Sequence, residues 1–262
     1  MLISDARGRE YNLPIQFNRI VSLVPSTTET LFDLGCGQHV VGITRFCVHP
    51  KDKLKNLLRV GGTKDVLWDR LSQSNPDLVI GNIEENTKEI FEKIDALGIN
   101  SYVAYPTTVK ESLQDLLNMG LLLGKKKEAQ SLVKNIESLL KNLPSKPFSY
   151  VYLIWKKPWM AAGSDTFISS MLSQLGGHNI INSTNCDNTR YPELTTQLNL
   201  LSQADKILLS SEPYPFREKH ILELMNISGL SKDRFMLLDG ELCSWHGSRM
   251  KLAFTKLPEL LR

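Results

Sequence analysis

A set of short segments concentrates the residue types able to bind or transform a small molecule: PSTTE at 25–29, RFCVHP at 45–50, GGTK at 61–64, NIEEN at 82–86, WKKPWM at 155–160, TRYPE at 189–193, SEPYPF at 211–216 and CSWHGSR at 243–249. Cys47 and His49 offer two metal ligands, yet no second pair stands at the spacing a zinc site uses. Glu84 and Glu85 read either as an acid/base pair or as carboxylates capping the following helix. Gly61-Gly62-Thr63-Lys64 lacks the upstream glycine and spacer of a phosphate loop, and no G-x-S-x-G or dinucleotide fingerprint is present. No nucleophile, base and orienter assemble from the pattern, so the residues read as non-catalytic. What stands out is the aromatic content. Trp155, Trp159 and Trp245, with Tyr191, Tyr214 and Phe216, fall in these loops, where rings are costly to leave in water without a partner. Gathered on one cleft they suit a flat, partly apolar ligand, with Arg190 and Arg249 for anionic edges; the alternative is that they cover sheet ends.

Such segments need strands that end where they begin, because ligands of parallel sheets sit outside the carboxyl ends of the strands. Residues 19–24, 40–44, 77–81 and 102–105 read as strands, and so do 149–155, 206–210 and 235–238. Ser26-Thr27-Thr28-Glu29 has capping-box spacing and predicts a helix over 26–34, closed by Gly35. Helices follow over 65–73, 86–97 (closed by Gly98), 108–123, 125–142, 166–175 (closed by Gly176-Gly177), 194–204, 218–225 and 247–261. Pro144 and Pro147 break the chain after the longest of these, and His178 reads as a loop residue. Alternation of strand and helix in both halves predicts an α/β protein of two Rossmann-like lobes with mostly parallel sheets. The expected organisation is an N-terminal lobe at 1–124, a linking helix at 125–143 and a C-terminal lobe at 144–262. A helix of about 18 residues is ~27 Å long, enough to run between lobes, though it also fits as a packed helix of one domain.

Composition excludes several classes. The 262 residues are 42% hydrophobic and 23% charged with a net charge of +3, which fits a globular chain and is too mild and scattered for a nucleic-acid partner. The Lys125–Lys127 run reads as a solvated helix face. No apolar run approaches the ~20 residues of a membrane helix, so an integral membrane protein is not expected. The N-terminal stretch MLISDARGREYNLP has no apolar signal core or cleavage site, which points to a cytoplasmic chain or to a leader absent from this sequence. Cys36, Cys47, Cys186 and Cys243 show no paired motif and read as isolated thiols.

Several stretches together resemble the helical-backbone class of ABC-importer substrate-binding proteins, in its cobalamin and iron-chelate branch. They are RIVSLVPSTTETLFDLG at 19–35, VVGIT at 40–44, NPDLVIG at 75–81, EKIDALGI at 92–99, AGSDTFISSMLSQLGGHNII at 162–181 and RYPEL at 190–194. The resemblance implies two lobes joined by a stiff helix, with the ligand in the cleft between them. That ligand would be a corrinoid such as cobalamin, a haem or a ferric chelate, held without a resident cofactor and passed to an ABC permease from a periplasmic or cell-surface monomer. Cleft contacts carried over by position are Pro25, Ser26, Thr27, Phe46, Asn82, Tyr191 and the loop before Arg249; Asn82 stands where the cobalamin-binding relative has a tryptophan. Thr63, Glu84, Glu85, Asn86, Trp155, Trp159, Arg190, Glu212, Tyr214, Phe216 and Trp245 join them from the loop-end reading. Docking in this class uses one acidic residue on each lobe; Glu89 lies near the first position, and Ser173 and Gln174 occupy the second. Two other readings stand beside this one. The first is a soluble intracellular metal- or tetrapyrrole-handling protein or enzyme on the same scaffold, uncoupled from a transporter. The second is a partner-binding module with the aromatic loops as its interface.

Overall fold

The computed structural model of the chain describes residues 2–143, 146–182, 186 and 190–261, so the predicted break at Pro144 and the loop residue Thr189 lie outside the described residues. The chain divides into two compact units. The first comprises Met1–Pro106, Lys110–Glu137 and His246–Lys251; the second comprises Thr107–Val109, Ser138–Trp245 and Leu252–Arg262.

In the first unit the chain opens with an antiparallel hairpin, β1 (Leu2–Ser4) and β2 (Glu10–Asn12), that the sequence did not announce. There follow β3 (Ile20–Ser22), α1 (Pro25–Asp33), β4 (Val40–Ile43), β5 (Leu58–Arg59), α2 (Trp68–Gln73), β6 (Leu78–Asn82), α3 (Lys88–Ala96), β7 (Asn100–Ala104), α4 (Val109–Leu122) and α5 (Lys126–Lys141). The chain passes from the first unit to the second inside α5. The sheet order is β5-β4-β3-β6-β7 and every pairing is parallel. Alternate residues of these strands serve two cores. Ile20, Leu78, Ile80 and Tyr102 pack with Leu31, Leu34, Met119 and Leu122, while Val21, Val79 and Val103 pack with Leu71, Ile90, Phe91 and Ile94. Strands buried on both faces require helices on both, which is why these stretches read as continuous apolar runs. The chain moves outward from β3 to β4 and β5, then returns to the other side of β3 at β6. That reversal makes a topological switch point between β3 and β6, the place where parallel sheets open a crevice.

In the second unit come β8 (Phe148–Trp155), β9 (Met160–Ala161), α6 (Phe167–Ser173), β10 (Gly177–Asn179), β11 (Lys206–Ser210), α7 (Glu218–Ser228), β12 (Phe235–Leu238) and α8 (Gly240–Ser244). The terminal α9 (Arg249–Leu260) begins on residues of the first unit and ends on those of the second. The order β10-β8-β11-β12 is parallel throughout, with β9 antiparallel to β8, and the switch point falls between β8 and β11. The expected α/β class with two mostly parallel sheets is what the chain adopts.

Local expectations needed correction where backbone chemistry overrode pattern. The helix α1 starts at Pro25 with Val24 as its cap and no side-chain cap bond. Proline's fixed φ and missing N–H suit the first helical position, so the box at Ser26 is not used. Instead the Thr28 hydroxyl turns back to the Val24 carbonyl at 3.0 Å. Glu84 and Glu85 precede the helix they were expected to cap, since α3 begins at Lys88 after Thr87 and carries Glu89 in its first turn. The helix predicted over 194–204 is only a 3₁₀ stretch, Leu198–Gln203. The residues before it are held against β9: Glu193 bridges to Met160, and the Leu194 N–H donates to the Trp159 carbonyl at 2.7 Å. His178, read as a loop residue, lies in β10.

Candidate functional site

The carboxyl ends of β3 and β6 in the first unit carry a continuous hydrogen-bonded chain. Asn82, the last residue of β6, is fixed at both ends: its N–H donates to the Asn86 side-chain oxygen at 2.9 Å, and its own Oδ1 accepts the Glu84 N–H at 2.6 Å. Asn86 in turn donates to the Thr63 carbonyl at 2.7 Å. On the other side, Asn82 Nδ2 stands 3.1 Å from His246 Nε2, and the Ser26 hydroxyl stands 3.3 Å from the same nitrogen. Ser26, Thr63, Asn82, Glu84 and Asn86, all singled out in the sequence, are thus drawn together, with Ser26, Asn82 and Asn86 buried and Glu84 exposed. Buried polar groups of this kind are stable only when paired, and the chain of bonds meets that condition.

The segment after Trp245 docks on α1, and the spacing of Ser26, Glu29 and Thr30 puts all three on one helix face. His246 meets Ser26. Next, the Ser248 N–H donates to Thr30 Oγ1 at 3.0 Å, and Arg249 Nε pairs with Glu29 Oε2 at 2.8 Å. Between them Gly247 has φ +81° and donates its N–H to Ser112 Oγ at 2.9 Å. A Cβ on Gly247 would stand 2.3 Å from Thr30 Oγ1, so glycine is required on both counts. Burial works against ionisation throughout. Desolvation raises the Glu29 carboxyl, with Arg249 opposing it, and lowers the His246 imidazole to about 4. Arg249, offered by the sequence to anionic ligand edges, is buried and bound to Glu29.

The remaining candidates of this unit are placed as follows. Pro25 opens α1. The Thr27 hydroxyl is fully buried and has no hydrogen-bond partner among the described residues. Phe46 is 50% exposed with the Arg45 guanidinium 5.0 Å above its ring, and Glu85 is exposed. The Cys47 thiol lies 3.1 Å from Thr28 Oγ1 and 3.2 Å from Thr44 Oγ1, and burial pushes its pKa up. Among the described residues no group of three or more His, Cys, Asp and Glu gathers as a metal site, so the pairing of Cys47 with His49 finds no third ligand.

In the second unit the switch point is lined with rings. Trp155 at the end of β8 meets Tyr214 edge-on at 5.6 Å, Tyr214 meets Phe216 at 4.8 Å, and Phe216 stacks on Trp159 at 5.9 Å with the planes 5° apart. His220 closes the group, 5.4 Å from Tyr214 and 5.5 Å from Phe216. Its Nδ1 accepts the Arg217 N–H at 2.9 Å, so Nε2 carries the proton and faces the Tyr214 hydroxyl at 3.3 Å. Desolvation, aided by Lys156 and Lys219, lowers its pKa. Lys156 is itself ion-paired with Glu223 and lies 5.3 Å over the Trp159 ring. These rings do not share one role. Trp159 (7% exposed) and Phe216 belong to the core, whereas Trp155 is 41% exposed. Glu212 Oε1 accepts from both Ser244 Oγ and Trp245 Nε1 at 2.8 Å, anchoring the end of α8. Arg190 lies 5.8 Å over the Tyr191 ring, and its carbonyl accepts the Gly163 N–H at 2.7 Å.

Reading by residue type missed two hubs, His246 and His220. The first lies between Trp245 and Arg249, both of which were singled out; a histidine flanked by Trp and Gly-Ser carried no spacing signal of its own. The second was hidden as the fourth residue after Phe216 in what reads as plain amphipathic helix.

Comparison with known proteins follows the same outline. The family described as periplasmic binding protein matches residues 20–220. An uncharacterized ABC transporter substrate-binding lipoprotein, YvrC of Bacillus subtilis (strain 168), is 27% identical over 222 residues, covering 79% of this chain and 68% of that one. Among solved structures, the periplasmic vitamin B12 binding protein BtuF of Vibrio cholerae aligns with a TM-score of 0.78 at 21% identity, over 95% of this chain and 98% of that chain. The periplasmic heme-binding protein RhuT from Roseiflexus sp. RS-1 aligns with a TM-score of 0.77 at 22% identity, over 93% and 97%. At these identities the structural likeness speaks for the fold.

Proposed function

The chain belongs to the periplasmic binding protein family, and from that premise we propose that it is a non-catalytic substrate-binding protein that takes a cobalamin-like corrinoid or a related metal chelate for an ABC importer. The observation that carries this reading is the furnishing of the two switch points. One presents buried amides and hydroxyls held in fixed directions, the other a partly exposed ring platform at Trp155 and Tyr214. A large planar ligand with amide or carboxylate edges needs both an apolar face and oriented polar partners. The names of the relatives, vitamin B12-binding and heme-binding, fit such a ligand. The lipoprotein relative supports an ABC permease as partner and the periplasm or cell surface as the place of action. No helix among the described residues is long and apolar enough to cross a membrane.

Titration of intrinsic tryptophan fluorescence with cyanocobalamin, haemin and a ferric hydroxamate tests the proposal. We expect saturable quenching by one of the three and a raised melting temperature, because a ligand present at a hundredfold its Kd stabilises the folded state by ~2.7 kcal/mol. Replacement of Trp155 by Ala should weaken that binding at least tenfold. Unchanged fluorescence and melting temperature with all three probes would reject the ligand class.

A further inference from the structure

We propose that His246 is the positioning residue of the first unit's binding edge: an uncharged hydrogen-bond acceptor that fixes the Asn82 amide and the Ser26 hydroxyl for ligand recognition. The inference rests on the reading above that this strand edge meets the ligand.

The geometry assigns the proton. Asn82 Oδ1 receives the Glu84 N–H at 2.6 Å, so an amide turned the other way would set two donors face to face. The Asn82 NH2 therefore points at His246 Nε2, 3.1 Å away, and only a lone pair there makes a bond. The proton of the neutral ring accordingly resides on Nδ1. The Ser26 hydroxyl, 3.3 Å from the same lone pair, shares it as a second donor. One acceptor thus ties the residue that ends β6 to the helix that follows β3, the two strands flanking the switch point. Through Asn82 the tie extends to Asn86 and the Thr63 carbonyl. Asn82 keeps one further amide hydrogen whose direction is then fixed, which is what selective recognition of a ligand oxygen requires.

Protonation would undo the arrangement, because an imidazolium carries N–H on both nitrogens and offers Asn82 no acceptor. The titratable groups on the elements packed against His246 include Glu29 and Asp33 on α1, Glu84 and Glu85 after β6, Lys110 and Glu111 on α4, and Arg249 and Lys251 on its own segment. Glu29 is paired with Arg249, and Glu84 and Glu85 are exposed. Burial holds the imidazole neutral.

The test compares wild type, His246→Gln and His246→Ala. Glutamine keeps an acceptor oxygen that does not titrate; alanine keeps none. Affinity for the probe that wild type takes, among cyanocobalamin, haemin and a ferric hydroxamate, is measured from pH 7.5 to 4.5. The expected result is a loss of at least tenfold for His246→Ala at pH 7 and near-wild-type binding for His246→Gln. Wild type should also lose affinity toward pH 4.5 more steeply than the glutamine variant. In parallel, ¹⁵N NMR of the ligand-free protein, with the His246 signal assigned by its absence from the glutamine variant, should show a neutral Nδ1–H ring down to pH 5. An Nε2–H ring, titration near 6.5, or parallel pH profiles for wild type and His246→Gln would overturn the proposal. Where His246→Ala fails to fold, the glutamine comparison and the NMR signal carry the test. Wild type that binds none of the probes defeats the functional reading and the recognition role with it, while the ring's tautomer still judges the geometry separately.

Discussion

At the β3–β6 junction of the first unit, amides and hydroxyls are linked in series from Thr63 through Asn86 and Asn82 to His246 and Ser26; at the β8–β11 junction of the second, the rings of Trp155, Tyr214, Phe216 and Trp159 pack edge to face and in parallel. The two junctions occupy the same place in their sheets, yet they use different physics. A hydrogen bond contributes only about 0.5–1.5 kcal/mol net, because folding exchanges it for bonds to water, but it fixes a direction and is costly to leave half-made. A buried ring contributes by area, about 1.5–3 kcal/mol for a large side chain, with little directional demand. On the proposed function the polar junction would supply orientation and the aromatic junction adhesion. Each also contains one buried histidine used as an acceptor, His246 toward Asn82 and His220 toward the Arg217 N–H.

The largest effect should separate the rings that hold the second unit together from those that face outward. Trp159 is buried against Phe216 in the core, so Trp159→Ala should destabilise the protein by about 3–5 kcal/mol in urea unfolding followed by circular dichroism. Trp155 ends β8 half in water, and Trp155→Ala should cost less than about 1 kcal/mol of stability while still weakening ligand binding. Equal losses of stability for the two variants would mean that the aromatic junction is all core and presents no platform.

The next effect is electrostatic and belongs to the polar junction. Unfolded, the His246 imidazole titrates near its ordinary 6.5; folded, burial lowers it to about 4. Between those values the unfolded chain binds a proton that the folded chain refuses, so stability is full above pH 6.5 and falls as pH drops toward 4. The loss attributable to this one group is about 3 kcal/mol when the window is crossed. Unfolding free energies at pH 7 and pH 4.5 should differ by less in His246→Gln than in wild type. His220 is lowered in the same direction, by desolvation first and then by Lys156, so His220→Gln should flatten the same curve. An unchanged slope in both variants would remove the histidines from the acid response.

The difference between the junctions also explains what could be read from the sequence. Parallel strands buried on both faces leave long apolar runs, so VVGIT, DLVIG and KILLS announced the two sheets, and Gly35 and Gly98, with φ of +74° and +73°, announced where helices stop. The aromatic junction was legible because rings near strand ends are few and conspicuous. What sequence could not convey was which rings are core, since Trp155 and Trp159 differ only in the way β9 folds back on β8. The polar junction was legible only in part: Ser26, Thr63, Asn82 and Asn86 were visible as loop residues, but their bonds run through an acceptor 164 residues from Asn82. Such pairings are set by topology, and Gly240–Ser244, the short α8 that delivers His246, gave no periodic signal of its own.

The smallest effect sharpens the contrast within the first unit itself. Arg45 pairs with Asp65 at 2.8 Å, but the two side chains are 53% and 59% exposed, whereas the Arg249–Glu29 pair is largely sequestered from water. An exposed pair gains little in high dielectric and loses side-chain freedom, so Asp65→Asn should cost only about 0.2–1 kcal/mol and less still at high salt. Arg45 would remain over the Phe46 ring, where the cation meets the π face at 5.0 Å. Ligand affinity should then move by less than threefold in Asp65→Asn, because the directions of Asn82 and Ser26 do not pass through this pair. A loss of several kcal/mol, or of tenfold in affinity, would show that the strand edge is held by surface charge, and the division of labour between a polar and an aromatic junction would fail at its polar end.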